Sequence, residues 1–434
     1  MKNFSFIVIF LFLSSCNTSE QEFEHFNNDT EGFIPVAPNT FFLRGRIWSP
    51  GADDPSTMTE NHFPISGAVI SAWSEEISPP VLGGCNQCEE IPNGVPTAVS
   101  ATDGTFILKL KPETKYFISI RKGDFFRITE YNSGQGGDST NFDVDTDTVK
   151  PSMFTLPNHD DPMLGDTVPR ILIIVGRGEL FMGDLFDALG MVYGVDYHEI
   201  EDSDAGFIAE NLSELKKYHI IIATCGDEAL FLKKPEVKAN LKQYVKEGGR
   251  LYIDDFAYDW AEQIWPEFLS FKVENTLDFE TGICGNGLSA PSEIGQCVNY
   301  QCYDAQGVIQ DEQISRWVDK VNTGNGISLK YGCNVIHTLG EGVQGECTDL
   351  ESPHCLNGKL VGKPKVLLSG NWLDYVENPM TVSWKYYCGR VLYTVYHTHA
   401  DDKSDINYKL ILQEKIMLYL LMELQKCTTP NIID

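Results

Sequence analysis

The sequence is poor in basic residues, and this shortage limits the partners that it can have. Its 434 residues hold 33 lysines and arginines against 62 aspartates and glutamates, so the formal net charge is −29 at pH 7. A surface of this sign repels nucleic acid and anionic lipid headgroups, because both carry dense negative charge. We therefore exclude nucleic acid as a partner and expect a solvated acidic surface.

Long apolar runs are scarce as well. Beyond residue 16, no segment reaches the roughly 18 consecutive apolar residues that a membrane-spanning helix needs, so none is expected there. Residues 4–13 do form an apolar run, and it follows the positively charged Lys2. The run is too short to cross a bilayer and is typical of the hydrophobic region of a cleavable signal peptide.

The apolar run ends in a short motif, Leu13-Ser14-Ser15-Cys16. It resembles the lipobox of bacterial lipoproteins, in which an aliphatic residue and two small residues precede the cysteine that is acylated. The resemblance implies a signal peptide over residues 1–15 and a lipid on Cys16 that anchors the exported chain to a membrane. Asn17 stands where an Asp would retain a lipoprotein in the inner membrane, so the implied address is the outer membrane. The alternative is an ordinary secretory signal with a chance cysteine.

The 12 cysteines are unevenly distributed. Seven lie in or beside one stretch: Cys284, Cys297, Cys302, Cys333, Cys347, Cys355 and Cys388. Together with Cys85 and Cys88, which form a C-x-x-C motif in a loop, they predict disulfides in an exported protein. Zinc at this motif would need a second pair of ligands with suitable spacing, and none is evident, so we predict no metal and no cofactor. Cys225 ends an apolar run and is expected to be a buried free thiol.

The first folded part is predicted to be an antiparallel β-sandwich. Residues 16–39 are polar, acidic and aperiodic, which predicts a flexible tether before it. Residues 40–157 then read as short strands separated by turns. Three phrases resemble the carboxypeptidase regulatory-like domain, a transthyretin-like sandwich: PISGAVISAW, SATDGTFILKL and KYFISIRKGDF. The resemblance implies an accessory module without catalysis of its own.

The second part is predicted to be an α/β domain. After a polar linker at 158–168, residues 169–427 alternate between apolar runs and amphipathic segments, which predicts a flavodoxin-like, mostly parallel sheet covered by helices. One helix is expected over 236–246 with a stop at Gly248 and Gly249, and another over 406–424. Residues 272–360 look like a disulfide-rich insertion of loops around one helix at 311–321.

The order of these elements resembles the class I glutamine amidotransferase-like fold, including its trehalose-utilisation-like branch. The resemblance rests on four phrases: PRILIIVG, YHIIIATCGDE, LKQYVKEGGRLYIDD and CGRVLYTVYHTHA. The family implies a cysteine between glycines in a sharp elbow after the third strand, where the thiol attacks glutamine. This sequence has Asp254, Asp255 and Phe256 there, with Asp254 at the elbow position. Hydrolysis of glutamine is therefore not expected.

Polar residues follow several of the predicted strands. In such folds the carboxyl ends of the strands line one crevice, which would gather a polar set: Arg177, Thr224, Cys225, Asp227, Asp254, Asp255, His397 and His399. Asp254, Asp255 and His397 could bind a metal or act as acid and base. Alternatively, Asp254 caps the next helix, Asp255 is solvated and the histidines merely decorate a strand end.

Two functions remain open at this point. The first is a membrane-anchored lipoprotein of the periplasm or cell surface that binds an envelope glycan or protein without catalysis, and the missing thiol favours it. The second is a hydrolase of unknown specificity that uses Asp254, Asp255 and His397, with or without a metal. The hydrolase requires the imidazole and a carboxylate to converge within about 5 Å in an open pocket.

Overall fold

The computed structural model describes residues 39–424 with internal gaps. The gaps cover 55, 84–90, 138, 142–151, 177–181, 226–229, 272–302, 323–325, 333–334, 343–344, 347–354, 357–358, 361, 373–374 and 399–407. The predicted signal peptide, Cys16 and nearly all of the tether lie outside the described residues. The same is true of Arg177, Asp227 and His399.

The N-terminal unit contains seven strands: β1 Phe41–Arg46, β2 Val69–Trp73, β3 Thr97–Val99, β4 Thr105–Leu110, β5 Lys115–Lys122, β6 Phe125–Asn132 and β7 Ser139–Asn141. They form a three-stranded sheet in the order β4-β1-β7 and a four-stranded sheet in the order β3-β2-β5-β6. Short 3-10 helices occupy Thr59–Asn61 and Ser152–Phe154.

Alternating burial explains why these segments form strands. In β4, Phe106, Leu108 and Leu110 are buried while the residues between them are more exposed, as expected for a strand with one face on a core. Gly104, with φ +80°, makes the turn that leads into β4, and a Cβ there would lie 2.7 Å from the Ile47 carbonyl oxygen. The expectation of short strands separated by turns thus holds for this segment.

The C-terminal unit alternates strands and helices. Its strands are β8 Ile171–Val175, β9 Tyr197–Glu201, β10 Ile220–Ala223, β11 Arg250–Asp254, β12 Leu269–Phe271, β13 Tyr303–Ile309, β14 Ile327–Gly332, β15 Ile336–Leu339, β16 Gly345–Glu346, β17 Cys355–Leu356, β18 Lys359–Leu360, β19 Lys365–Trp372, β20 Tyr375–Tyr386 and β21 Gly389–Thr394. Its helices are α1 Met182–Asp187, α2 Asp202–Ala209, α3 Leu212–Leu215, α4 Pro235–Lys246, α5 Tyr258–Glu262, α6 Glu312–Val321 and α7 Leu412–Glu423, with 3-10 turns at Leu230–Lys233 and Asp255–Ala257.

Nine of these strands form one mixed sheet in the order β14-β13-β19-β20-β21-β11-β10-β8-β9. The pairings from β21 to β9 are parallel, whereas those from β14 to β21 are antiparallel. The prediction of a mostly parallel sheet was therefore wrong for one half. The turns between β19 and β20 and between β20 and β21 are too short for a crossover, so these strands must reverse direction.

Helix α4 is confirmed with the buried face that its periodicity predicts. Val237, Leu241, Tyr244 and Val245 are buried, and the helix ends just before Gly248. A Cβ on Gly249 would overlap the Tyr244 ring at 2.4 Å, which explains the second glycine. Helix α7 begins later than predicted, because the extended chain before it binds Asn61: the Leu410 amide donates to Asn61 Oδ1, and Asn61 Nδ2 donates to the Tyr408 carbonyl.

The expected loop insertion at 272–360 contains regular structure. Strands β13 and β14 extend the large sheet, and β15 pairs with β12. Helix α6 is confirmed, with Asp311 as its N-cap and Ile314, Trp317 and Val318 buried. The segment was mistaken for loops because it is rich in glycine, asparagine and cysteine, although β13 and β14 have seven and six residues.

Most of the predicted disulfides cannot be placed. Seven of the candidate cysteines lie outside the described residues: Cys85, Cys88, Cys284, Cys297, Cys302, Cys333 and Cys347. Only the backbone of Cys355 is described, and Cys388 lies in the turn between β20 and β21. No disulfide joins two cysteines within the described part of the chain. The disulfide framework stays a prediction.

The two units meet across a contact that contains buried charge. Lys122, at the end of β5, forms an ion pair with Glu423 of α7, and neither side chain is exposed to solvent. Lys122 also donates to the Ser66 carbonyl at 2.7 Å, and its ammonium lies 5.0 Å from the Tyr419 ring centroid. Trp317 of α6 donates to the Pro64 carbonyl at 2.8 Å. Helices α6 and α7 therefore hold the N-terminal unit through both polar and aromatic contacts.

The segment predicted to be a polar linker lies against β6. Phe126 and Thr167 exchange backbone hydrogen bonds, and Arg127 forms an ion pair with Asp166 at 2.9 Å. Elsewhere, the described helices include none that is long and apolar enough to cross a bilayer.

Candidate functional site

The site lies at the carboxyl end of the parallel strands, where β11 turns into a short helix. Asp254 is the last residue of β11, and Asp255 begins the 3-10 turn that leads into α5. Asp255 has φ +37°, a left-handed conformation that non-glycine residues adopt rarely. A sharp strand-to-helix turn with a positive φ is the geometry of an elbow. The elbow residue is thus Asp255, and the prediction of Asp254 was wrong by one position.

Asp254 is excluded from solvent and does not act as a helix cap. Its side chain makes no capping hydrogen bond. Burial raises the pKa of Asp254 well above its usual value, although the backbone N–H of Cys225 opposes this shift. The apolar surroundings of the Asp254 carboxyl therefore favour its neutral form over its charged form.

Cys225 reaches the elbow from the neighbouring strand β10. Thr224, just before it, donates to the Ile174 carbonyl at 3.0 Å and accepts from the Gly176 amide at 3.0 Å, which ties the ends of β10 and β8 together. Cys225 is buried and its thiol is not disulfide-bonded, as predicted. Its thiol donates to Oδ2 of Asp255 at 3.8 Å.

His397 approaches Asp255 from the other neighbouring strand, β21. Its Nε2 lies 3.7 Å from Asp255 Oδ2, and its side chain is 15% exposed while that of Asp255 is fully buried. Its Nδ1 lies 2.8 Å from the Thr398 carbonyl oxygen. Because a carbonyl can only accept, Nδ1 carries a proton and Nε2 is the atom that faces the carboxylate.

The site therefore brings together Cys225, Asp255 and His397, and not the predicted trio of Asp254, Asp255 and His397. One potential ligand atom from each residue lies within 4.8 Å of the other two. The distance between His397 and Asp255 meets the convergence condition set for a hydrolase. The alternative in which Asp254 caps a helix and Asp255 is solvated is wrong, because Asp254 caps nothing and Asp255 is fully buried.

Two supporting residues were missed by the sequence analysis. The Tyr393 hydroxyl donates to the Asp255 carbonyl at 2.9 Å and so holds the elbow backbone. The side-chain amide of Gln413, on α7, donates to the His397 carbonyl, and its Oε1 accepts from the Lys330 amide at 2.6 Å. Gln413 begins a polar run, Gln413-Glu414-Lys415, at the start of α7, so no signal in the sequence indicated that its amide is buried and needs partners.

The known structures named below are only distantly similar to this chain. No family model and no curated protein matches the chain. A cytoplasmic protein from Salmonella typhimurium is 13% identical with a TM-score of 0.33, and the match covers 60% of this chain and 100% of that one. A ThuA-like protein from Bacteroides uniformis is 14% identical with a TM-score of 0.32, covering 58% and 89%.

A β-galactosidase from Bacillus circulans sp. alkalophilus is 13% identical with a TM-score of 0.31, and the match covers 61% of this chain but 32% of the enzyme. The structural neighbours thus include ThuA-like proteins, which have the glutamine amidotransferase-like fold, at low identity. Similarities this weak carry no argument about what the present chain does.

Proposed function

We propose that this protein is a lipid-anchored envelope protein that binds a glycan or protein ligand and does not hydrolyse glutamine. The proposal that glutamine is not hydrolysed rests on the residue at the elbow. Asp255 stands where the amidotransferase-like fold needs a thiol, and its side chain is fully buried. A nucleophile must reach the substrate, which a fully buried carboxylate at an elbow without glycine does not.

Export and anchoring rest on the lipobox-like motif that ends in Cys16. We expect the full chain, expressed in a Gram-negative host fed with labelled palmitate, to incorporate the label and to partition into detergent. Cys16→Ala should lose both properties, because it removes the acylated sulfur. Cys225→Ser is the matched control and should keep both. Equal labelling of Cys16→Ala would refute the anchor.

The N-terminal unit is proposed to be the carboxypeptidase regulatory-like module. Its two antiparallel-rich sheets of three and four strands are consistent with a small sandwich. Its contact with α6 and α7 makes it part of the same folded body as the site. A screen of glycans and envelope peptides on the full chain in detergent is the experiment that identifies a ligand.

A hydrolase is the second candidate, and the approach of His397 to Asp255 favours it. If esters, amides or phosphoesters are turned over, Asp255→Asn and His397→Ala should each abolish the activity, because either change removes a base or a ligand. We expect no release of ammonia from glutamine. Ammonia release that disappears in Cys225→Ser would instead identify Cys225 as an active thiol.

A further inference from the structure

Three chemically different donor atoms converge at the carboxyl end of adjacent strands. Asp255 Oδ2 lies 3.8 Å from Cys225 Sγ and 3.7 Å from His397 Nε2, and all three atoms are within 4.8 Å of one another. For a tetrahedral zinc ion with bonds of about 2.0–2.3 Å, the distances between ligand atoms are about 3.3–3.6 Å. The distances from Asp255 Oδ2 to Cys225 Sγ and to His397 Nε2 are thus only a few tenths of an ångström longer than those around a bound zinc ion.

The orientation of His397 matches that of a metal ligand. Its Nδ1–H donates to the Thr398 carbonyl, which leaves Nε2 directed at the other two donor atoms. Ligating histidines are held in this way, because the second hydrogen bond fixes both the tautomer and the ring. Gln413 fixes the backbone of His397 from α7, so the ligand does not depend on a loop alone.

The charge and the solvent access of the cluster also suit a divalent cation. A thiolate and a carboxylate supply two negative charges, which a dication neutralises, and the imidazole ligates as a neutral group. Cys225 and Asp255 are buried, whereas His397 is partly exposed, so the accessible side of the cluster lies beside the imidazole. Three protein ligands with one accessible position are typical of zinc sites that bind water or substrate.

We propose that Cys225, Asp255 and His397 bind one transition-metal dication, with zinc as the best match to this ligand set. Calcium and magnesium require oxygen ligands, and a thiol with an imidazole selects against them. On binding, the metal replaces the proton that the Cys225 thiol shares with Asp255, so one proton is released from sulfur. The site goes beyond the proposed function, since it requires neither a lipid anchor nor a glycan or protein ligand.

The test uses the full chain, purified in detergent and stripped of metal with a chelator. We expect it to take up one equivalent of zinc in the presence of excess Mg²⁺, which occupies the acidic surface. Zinc should protect the Cys225 thiol from alkylation, read at that residue by peptide mass spectrometry. Cobalt in place of zinc should give a thiolate-to-metal charge-transfer band that Cys225→Ser removes.

Matched variants distinguish ligands from neighbours. Asp255→Asn and His397→Ala should each weaken zinc binding by about 100-fold or more, since loss of even an outer partner costs about 10- to 100-fold. Asp254→Asn alters the adjacent carboxyl, whose oxygens are not in the cluster, and His337→Ala alters an exposed histidine; both should bind zinc normally. Circular dichroism verifies that each variant is folded.

Two results would overturn the proposal: uptake of less than one equivalent by the unsubstituted chain, or zinc protection of Cys225 that survives both Asp255→Asn and His397→Ala. Neither result changes the outcome expected for palmitate labelling or for the ligand screen. The metal site can therefore be refuted independently of the proposed function.

Discussion

Glu423 and Asp255 are both completely buried, but their surroundings differ. At the contact between the units, Glu423 forms an ion pair with Lys122, so the chain supplies its own cation. At the carboxyl end of the parallel strands, Asp255 faces a thiol and an imidazole. The first arrangement is complete within the protein, whereas the second presents donor atoms of the kind that metals bind.

The surrounding backbone differs in the same way. Lys122 ends a regular strand, where side-chain direction follows from the pleat. Asp255 has a positive φ, and the Tyr393 hydroxyl holds its carbonyl. Strained conformations cost about 1–3 kcal/mol and persist where the surroundings impose them, often at functional sites. The contact between Lys122 and Glu423 thus serves stability, whereas the site at Asp255 is kept at some cost in stability.

The largest effect on the free energy of unfolding is expected at the ion pair between Lys122 and Glu423. Lys122→Met should lower the free energy of unfolding by about 3–5 kcal/mol, because it leaves Glu423 buried beside an apolar side chain. The measurement is denaturant unfolding followed by circular dichroism. The double variant Lys122→Met/Glu423→Leu should recover much of the loss, since replacing both partners removes the uncompensated charge.

Lys115 is the matched control, because it begins the same strand and pairs with Glu130 at 2.9 Å on the surface, where both side chains are more than half exposed. Lys115→Met should cost less than about 1 kcal/mol. If Lys122→Met were no more harmful than Lys115→Met, the contact between the units would not depend on buried charge, and the comparison would fail.

Local patterns were enough to predict the elements that fold by local rules. Helix α4 was predictable because its buried residues recur at helical spacing and glycines end it. Strands β8 and β10 were predictable because their apolar residues are continuous, as in strands covered on both faces. The directions of β19 and β20 were not predictable, because they depend on short turns that have no distinctive sequence pattern.

The sequence placed the site at the correct edge of the sheet, but it chose Asp254 where the structure has Cys225. Cys225, Asp255 and His397 meet because β10, β11 and β21 are adjacent, and strand order is set by packing over the whole unit. Choosing between Asp254 and Asp255 required the backbone conformation, because neighbouring residues differ only in the direction of their side chains. A positive φ at an aspartate is not visible in sequence.

The adjacent pair of aspartates gives the prediction with the smallest effect, and it concerns pH. The pKa of Asp254 is raised in the folded protein, while in the unfolded chain it is near the ordinary value of 3.8. Between these two values the folded state holds one more proton than the unfolded state, so this residue makes stability fall as pH rises. The slope is about 1.4 kcal/mol for each pH unit.

Asp254→Asn removes that proton exchange and keeps nearly the same shape. Relative to the unsubstituted protein, the variant should therefore be unchanged near pH 4 and gain about 1.4 kcal/mol for each pH unit above it, until the raised pKa is passed. Denaturant unfolding at a series of pH values measures the difference. Asp319→Asn, at an exposed position on α6, should give a curve parallel to that of the unsubstituted protein. A constant loss of stability in Asp254→Asn at every pH would mean that Asp254 is ionised in the fold, and that the two aspartates do not divide into a neutral structural acid and a charged ligand.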